Sequence, residues 1–116
     1  MDTIAAAVMP KEKKKIEDLR DTTDLMFSKD YKKRFVAEYW QTKIRYEKLK
    51  KFNTRIEAAN RAMEPDYMGV RRSEKSVDMP KHDCPESMLR AQQAAMGEYL
   101  HILEMRAVIE GIELEQ

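Results

Sequence analysis

The sequence predicts an all-α fold: a long antiparallel helical hairpin with a short N-terminal helix ahead of it. Three observations carry that expectation. Residues 29 to 62 contain no Gly or Pro, and the whole 116-residue chain holds only three Gly and four Pro. Apolar and aromatic positions in that stretch recur at alternating steps of four and three, the period of one helix face. Finally, Lys29 to Arg61 holds eleven Lys/Arg against four Asp/Glu, a net +7, whereas Pro85 to Gln116 holds two against six, a net −4. A basic amphipathic helix is thus answered, after a connection, by an acidic one.

Two regions follow. Residues 1–27 are an N-terminal arm and short helix, and residues 28–116 are the hairpin domain with a loop over 62–84. The arm ends at Pro10. From Lys11 to about Phe27, Ile16, Leu19, Thr23 and Met26 fall on one side of a short helix. Ser28 is a suitable N-cap for the first long helix, and Asp30 adds a carboxylate to its first turn. Its seam runs through Phe35, Tyr39, Thr42, Tyr46, Leu49, Asn53 and Ile56, widened by Val36, Trp40 and Phe52. At 1.5 Å per residue this helix is on the order of 45 Å long.

The loop holds the breakers Glu64-Pro65-Asp66, Gly69 and Met79-Pro80, with a basic cluster at Arg71, Arg72 and Lys75. It is either a mobile surface segment or a lid. Asp83-Cys84-Pro85-Glu86 opens the second long helix with a capping side chain, a first-turn proline and an acid. That helix runs to Glu110 and stops at Gly111, which suits a left-handed residue. Its apolar edges are Met88–Ala95–Ile102–Ile109 and Leu89–Met96–Leu103. Beyond it, Ile112-Glu113-Leu114 alternates like a short strand or an extended arm.

Composition narrows the function classes. A chain 42% hydrophobic and 37% charged makes well-solvated helices around a thin core, which favours assembly as a homo-oligomer. A net charge of only +1 argues against non-specific coating of nucleic acid, which is driven by phosphate neutralisation. The single cysteine, Cys84, excludes an internal disulfide and fits a reducing, cytoplasmic setting. The apolar run Ile4 to Met9 is too short to span a bilayer, so no membrane partner is expected.

The sharpest local feature is the triplet Gln92, Tyr99 and Arg106, each seven residues apart and lying between the two apolar edges. Buried polar groups must find partners or cost about 1–3 kcal/mol each. One reading is a polar network with the Tyr39, Thr42, Tyr46 and Asn53 row that fixes helix register. The other is a ligand pocket in which Tyr39, Tyr46 and Tyr99 stack and Arg34, Arg45 and Arg106, with Lys43 nearby, hold phosphates. Gln92 and Gln93 then hydrogen-bond base or ribose edges. Most remaining cations solvate the first helix and pair with Glu98, Glu104 and Glu110 of the second. His82-Asp83-Cys84 cannot close a tetrahedral metal site, since the other histidine, His101, lies mid-helix. Cys84 has no base placed beside it by sequence. No metal, cofactor or catalytic group is expected, and the chain reads as a non-enzyme.

Two stretches carry a family likeness. The first comprises Asp30-Tyr31-Lys32-Lys33-Arg34-Phe35, Glu38-Tyr39-Trp40-Gln41 and Ile44-Arg45-Tyr46-Glu47-Lys48-Leu49. The second comprises Cys84-Pro85, Leu89, Gln92-Gln93, Met96-Gly97-Glu98-Tyr99-Leu100, Ile102-Leu103 and Arg106. Together they resemble a family of small phage and prophage helical proteins first noted in crAss-like phages. By shape that family is similar to the helical-hairpin sponges that phages direct against CBASS and Thoeris immunity. The resemblance implies a small oligomer in a bacterial host's cytoplasm that sequesters a cyclic nucleotide or cyclic ADP-ribose signal without cleaving it. The alternative is a structural or adaptor protein whose hairpin docks onto another protein. A nucleic-acid binder using the basic helix is disfavoured by the near-neutral total charge.

Overall fold

The computed structural model describes residues 15–63 and 77–115. The expected arm over residues 1–10, the helix start at Lys11 and the Arg71, Arg72 and Lys75 cluster lie outside these residues. The architecture is all-helical, as the sequence predicts. A 3-10 turn, Leu19–Thr22, runs into α1, Thr23–Met26. The two long helices are α2, Tyr31–Ala62, and α3, Glu86–Glu110. Cross-helix bonds pair Tyr31 with Glu110, Tyr39 with Glu104, Asn53 with Leu89 and Asn60 with Glu86. Numbers rising on one helix as they fall on the other make the pair antiparallel.

The N-terminal helix is shorter than expected. Residues 15–18 are not helical, and Asp18 caps the 3-10 turn by accepting from the Arg20 N–H at 2.8 Å. Asp21 closes the reciprocal capping box. Ile16 is buried from this non-helical segment, so its spacing to Leu19 is not a helix repeat. The inward face uses Thr22 and Leu25, not the expected Thr23 and Met26, which are exposed.

α2 starts two residues later than anticipated because Asp30, not Ser28, is its cap. The Asp30 carboxylate accepts from the Lys32 N–H at 3.0 Å, while the Ser28 hydroxyl accepts from the Asp30 N–H at 3.0 Å. Its expected seam is the inward one: Phe35, Tyr39, Asn53 and Ile56 are buried, and Thr42, Tyr46 and Leu49 are half-buried.

α3 ends where and as expected, but begins two residues later than a cap at Asp83 would place it. Pro85 itself is the cap residue and Asp83 makes no capping bond; the Pro85 carbonyl accepts from the Met88 and Leu89 N–H groups. Gly111 adopts φ 68°, and the Ile112 N–H returns to the Ala107 carbonyl at 2.8 Å, a Schellman closure. The inward face of α3 is Leu89, Gln93, Met96, Leu100, Leu103 and Ala107. Only the Leu89–Met96–Leu103 edge therefore faces α2. The edge from Met88 to Ile109 points to solvent, and with it Gln92, Tyr99 and Arg106 lie on exposed ground, not within a buried face. The tail is no strand among the described residues: it is an extended arm, with Ile112 buried and the Trp40 indole N–H donating to the Leu114 carbonyl at 2.7 Å.

The core sits at the base of the hairpin, where Ile16, Phe35, Val36, Tyr39, Leu100, Leu103, Ala107 and Ile112 meet. Gln41 ties the N-terminal turn to α2 through a 3.0 Å bond to the buried Thr22 hydroxyl. At the far end Pro80 is buried and His82 sets its ring edge-on to Phe52 at 6.1 Å. Between those two closures Asn53 bonds across to Leu89 and Gln93, and Tyr46 lies against Gly97.

Candidate functional site

Along one flank of the pair, a half-open cavity of about 580 Å³ is shared by α2 and α3. Tyr46, Lys50, Asn53 and Asn60 line it from α2; Glu86, Arg90, Gln93 and Gly97 line it from α3. One wall is shaped by a close approach at Gly97. A Cβ at Gly97 would lie 3.2 Å from the Tyr46 ring, so a larger residue there would push the ring back by a few tenths of an ångström. A helix-interior glycine costs about 1 kcal/mol relative to alanine, and the close approach of Tyr46 accounts for it.

Asn53 is the polar centre of the wall. It is 8% exposed, and its amide N–H₂ donates to the Leu89 carbonyl at 3.1 Å and to Gln93 Oε1 at 2.8 Å. A backbone carbonyl only accepts, so the orientation of the Asn53 amide is fixed. Its Oδ1 is buried without a hydrogen-bond partner. At the cavity's end Asn60 Nδ2 donates to both Glu86 oxygens, at 3.3 and 3.1 Å. Glu86 also meets Arg90 Nη1 at 3.7 Å and His82 Nε2 at 3.9 Å. Glu57 pairs with Arg61 at 3.6 Å along α2. The lining thus offers one aromatic ring, three side-chain amides, two cations and two carboxylates.

Of the residues expected from sequence to form a site, Tyr46 and Gln93 share this cavity. The others are placed elsewhere. Tyr39 is buried in the base, its hydroxyl donating to Glu104 at 2.8 Å. Burial first, and the Glu104 bond second, push its phenol pKa far above the ordinary value. Lys43 Nζ lies 3.4 Å from that hydroxyl and above the Tyr39 and Trp40 rings, 5.7 and 5.9 Å from their centroids. On the opposite flank the pKa of Tyr99 is raised, first by partial burial and then by the Glu38 carboxylate.

Arg106 lies 5.0 Å over the Phe35 ring and donates to Glu110 at 3.2 Å and to the Tyr31 hydroxyl at 2.7 Å. Desolvation alone would lower its pKa, but Glu110 and Tyr31 outweigh it and the net shift is upward. The Tyr31 hydroxyl donates on to Glu110 at 2.9 Å, and that bond raises its own pKa. Arg34 donates to the Ser28 carbonyl at 2.8 Å, bracing the entry to α2. Arg45 and Gln92 are exposed. Glu104 and Glu110 bond tyrosines of α2, so the expected pairing of its lysines and arginines with these carboxylates is replaced by phenol–carboxylate bonds.

Lys50, Glu86, Arg90 and Gly97 were not among the expected site residues. Gly97 is the signal that points to them: an uninterrupted helix has no backbone need for a glycine, so its place marks a close approach from the opposite helix. Among the described residues no group of three or more His, Cys, Asp or Glu could hold a metal ion. Nor is any helix among them long and apolar enough to cross a membrane.

A sequence model of the Sequestin family matches residues 29–68 and 70–109, the first stretch containing α2 and the second α3. No curated protein and no solved structure matches the chain. Both cavity walls, from Tyr46 to Asn60 and from Glu86 to Gly97, fall within the matched stretches. The two matches cover more than half of the sequence, and the chain belongs to the Sequestin family.

Proposed function

We propose that the protein is a non-catalytic binding protein of phage or prophage origin that sequesters a nucleotide-type immune signal, a cyclic nucleotide or cyclic ADP-ribose. It acts as a homo-oligomer in the cytoplasm of a bacterial host. The observation that carries this reading is the inter-helix cavity. Its volume falls in the range of small-molecule sites, and its lining supplies the three kinds of contact that a nucleotide needs. Tyr46 offers a ring face for a base, Asn53, Asn60 and Gln93 offer amides for base and ribose edges, and Lys50 and Arg90 offer charge for phosphate. The family's name, Sequestin, agrees with retention of a ligand in place of its conversion. Glu57 and Glu86 offset the two cations, which favours a ligand of low charge over a polyphosphate.

The test is a thermal-shift panel of the purified chain with cyclic di- and trinucleotides, cyclic ADP-ribose isomers, NAD and inorganic phosphate. A ligand at a hundred times its dissociation constant adds about 2.7 kcal/mol, several degrees for a domain this small. One signal class is expected to raise the melting temperature and to be recovered intact after release. Lys50→Ala and Arg90→Ala are expected to abolish that shift, whereas Tyr99→Ala and Arg106→Ala on the other flank retain it. The reverse pattern would move the site to the Tyr99–Arg106 row. A flat panel from folded protein would favour the adaptor reading, for which the exposed apolar face of α3 speaks.

A further inference from the structure

α3 carries two apolar seams, and α2 covers one. The second seam is Met88, Ala91, Ala95, Ile102, Met105 and Ile109, with Glu98 completing its alternating steps of three and four. All seven positions are exposed, and Ile109 is 83% exposed. At about 100° per residue this row lies roughly opposite the face that packs on α2. A helix apolar on opposite sides is an interior helix. α2 is different, exposing Lys48, Lys51 and Arg55.

The occupant must match the seam in length and character. From Met88 to Ile109 it spans about 32 Å with apolar positions at helical spacing, a run that another helix of similar length matches. The N-terminal turns pack on α2. The apolar run Ile4 to Met9 reaches at most about 21 Å when fully extended. The seam is also nearly free of charge: Glu86, Glu104 and Glu110 lie off it, and Arg106 at its edge is turned onto Glu110 and Tyr31, leaving Glu98 as its one carboxylate. Two such faces meet without the repulsion that the net charge of the segment would suggest. Size completes the argument. Ala91 and Ala95 are small and lie before Glu98, Ile102 and Met105 are large and lie after it, and Met88 and Ile109 are large at the two ends. Antiparallel pairing of the seam with itself sets Ala91 against Met105 and Ala95 against Ile102, with Met88 and Ile109 closing the ends, whereas parallel pairing sets each large residue against its own copy and each alanine against an alanine.

We propose that this face is the contact between two copies of the chain, packed antiparallel about a two-fold axis that passes near Glu98. It gives a surface to the self-association included in the sequestration reading and rests on that part of it alone. The test is sedimentation velocity of the full chain over a wide concentration range, with circular dichroism as the folding control. The wild type is expected to run at twice the chain mass. Ile102→Lys and Ile109→Lys are expected to run as helical monomers, and Glu98→Gln, which removes a like-charge pair at the axis, to dimerise several-fold more tightly. In a Cys84→Ser background, Glu98→Cys should form a disulfide with its own copy and Ile109→Cys should not. A monomeric wild type would overturn the proposal while a positive ligand panel kept the cavity reading intact. A dimer that survives both lysine substitutions would overturn the surface, and self-linking at position 109 would overturn the antiparallel arrangement.

Discussion

Asn53 bears most directly on how the cavity wall is built. A polar residue on a helix seam fixes register at a cost in stability, and here one of its two polar atoms is left without a partner. Asn53→Leu keeps the shape and removes the orphaned acceptor. Its urea midpoint is expected to rise, by about 1 kcal/mol in unfolding free energy, while any ligand response is lost. A lower midpoint would mean that the bonds to Leu89 and Gln93 outweigh the orphaned oxygen. Asn53 was legible in the sequence as a seam residue because the four-three spacing through Phe35, Tyr39, Tyr46 and Ile56 is fixed by helix geometry. Its role beside Lys50 and Arg90 was not, because a cavity arises from what the opposite helix lacks. Only Gly97 hinted at that.

At the level of elements, α2 and α3 are joined at the base by phenol–carboxylate bonds, and this gives the hairpin a particular pH response. The folded state raises the phenol pKa of Tyr39, and of Tyr31 and Tyr99 in the same direction. A raised pKa means that the folded state holds the proton more tightly than the unfolded chain does. The associated stability is present in full below the ordinary tyrosine value of about 10 and is lost as pH rises above it. Unfolding free energy is therefore expected to fall above about pH 10, and Tyr39→Phe to flatten that fall. The same substitution at neutral pH should cost about 1 kcal/mol, since Glu104 loses its donor. An alkaline limb identical in wild type and variant would assign the titration to other groups.

The ends of both long helices were readable from local chemistry, even where Asp30 and Pro85 took the capping places expected of Ser28 and Asp83. The rotation of α3 was not. With apolar rows at Leu89–Met96–Leu103 and at Met88–Ala95–Ile102–Ile109, periodicity fits either row against α2, and packing decides. Neither was the N-terminal segment, where Ile16 is buried from a non-helical stretch and so escapes any test of helical period.

For the whole molecule, two regions divide the labour. The base gathers the N-terminal turn, the start of α2, the end of α3 and the tail into one core, and the distal half of the hairpin holds the cavity. Removing residues 112–116 takes away buried Ile112 and half-buried Leu114 without touching the cavity wall. That truncation is expected to cost roughly 2–5 kcal/mol, the range for deleting a large buried side chain, and to leave ligand affinity unchanged. A parallel loss of affinity would show that the base sets the spacing of the helices at the cavity.

The tail also makes its own docking visible. Trp40 is the chain's single tryptophan, and its indole N–H is held by the Leu114 carbonyl at 2.7 Å. Emission from one indole therefore reports on one backbone junction, free of any other tryptophan signal. A red shift that precedes the loss of helical ellipticity would time the release of the tail separately from the melting of the hairpin, with no label attached.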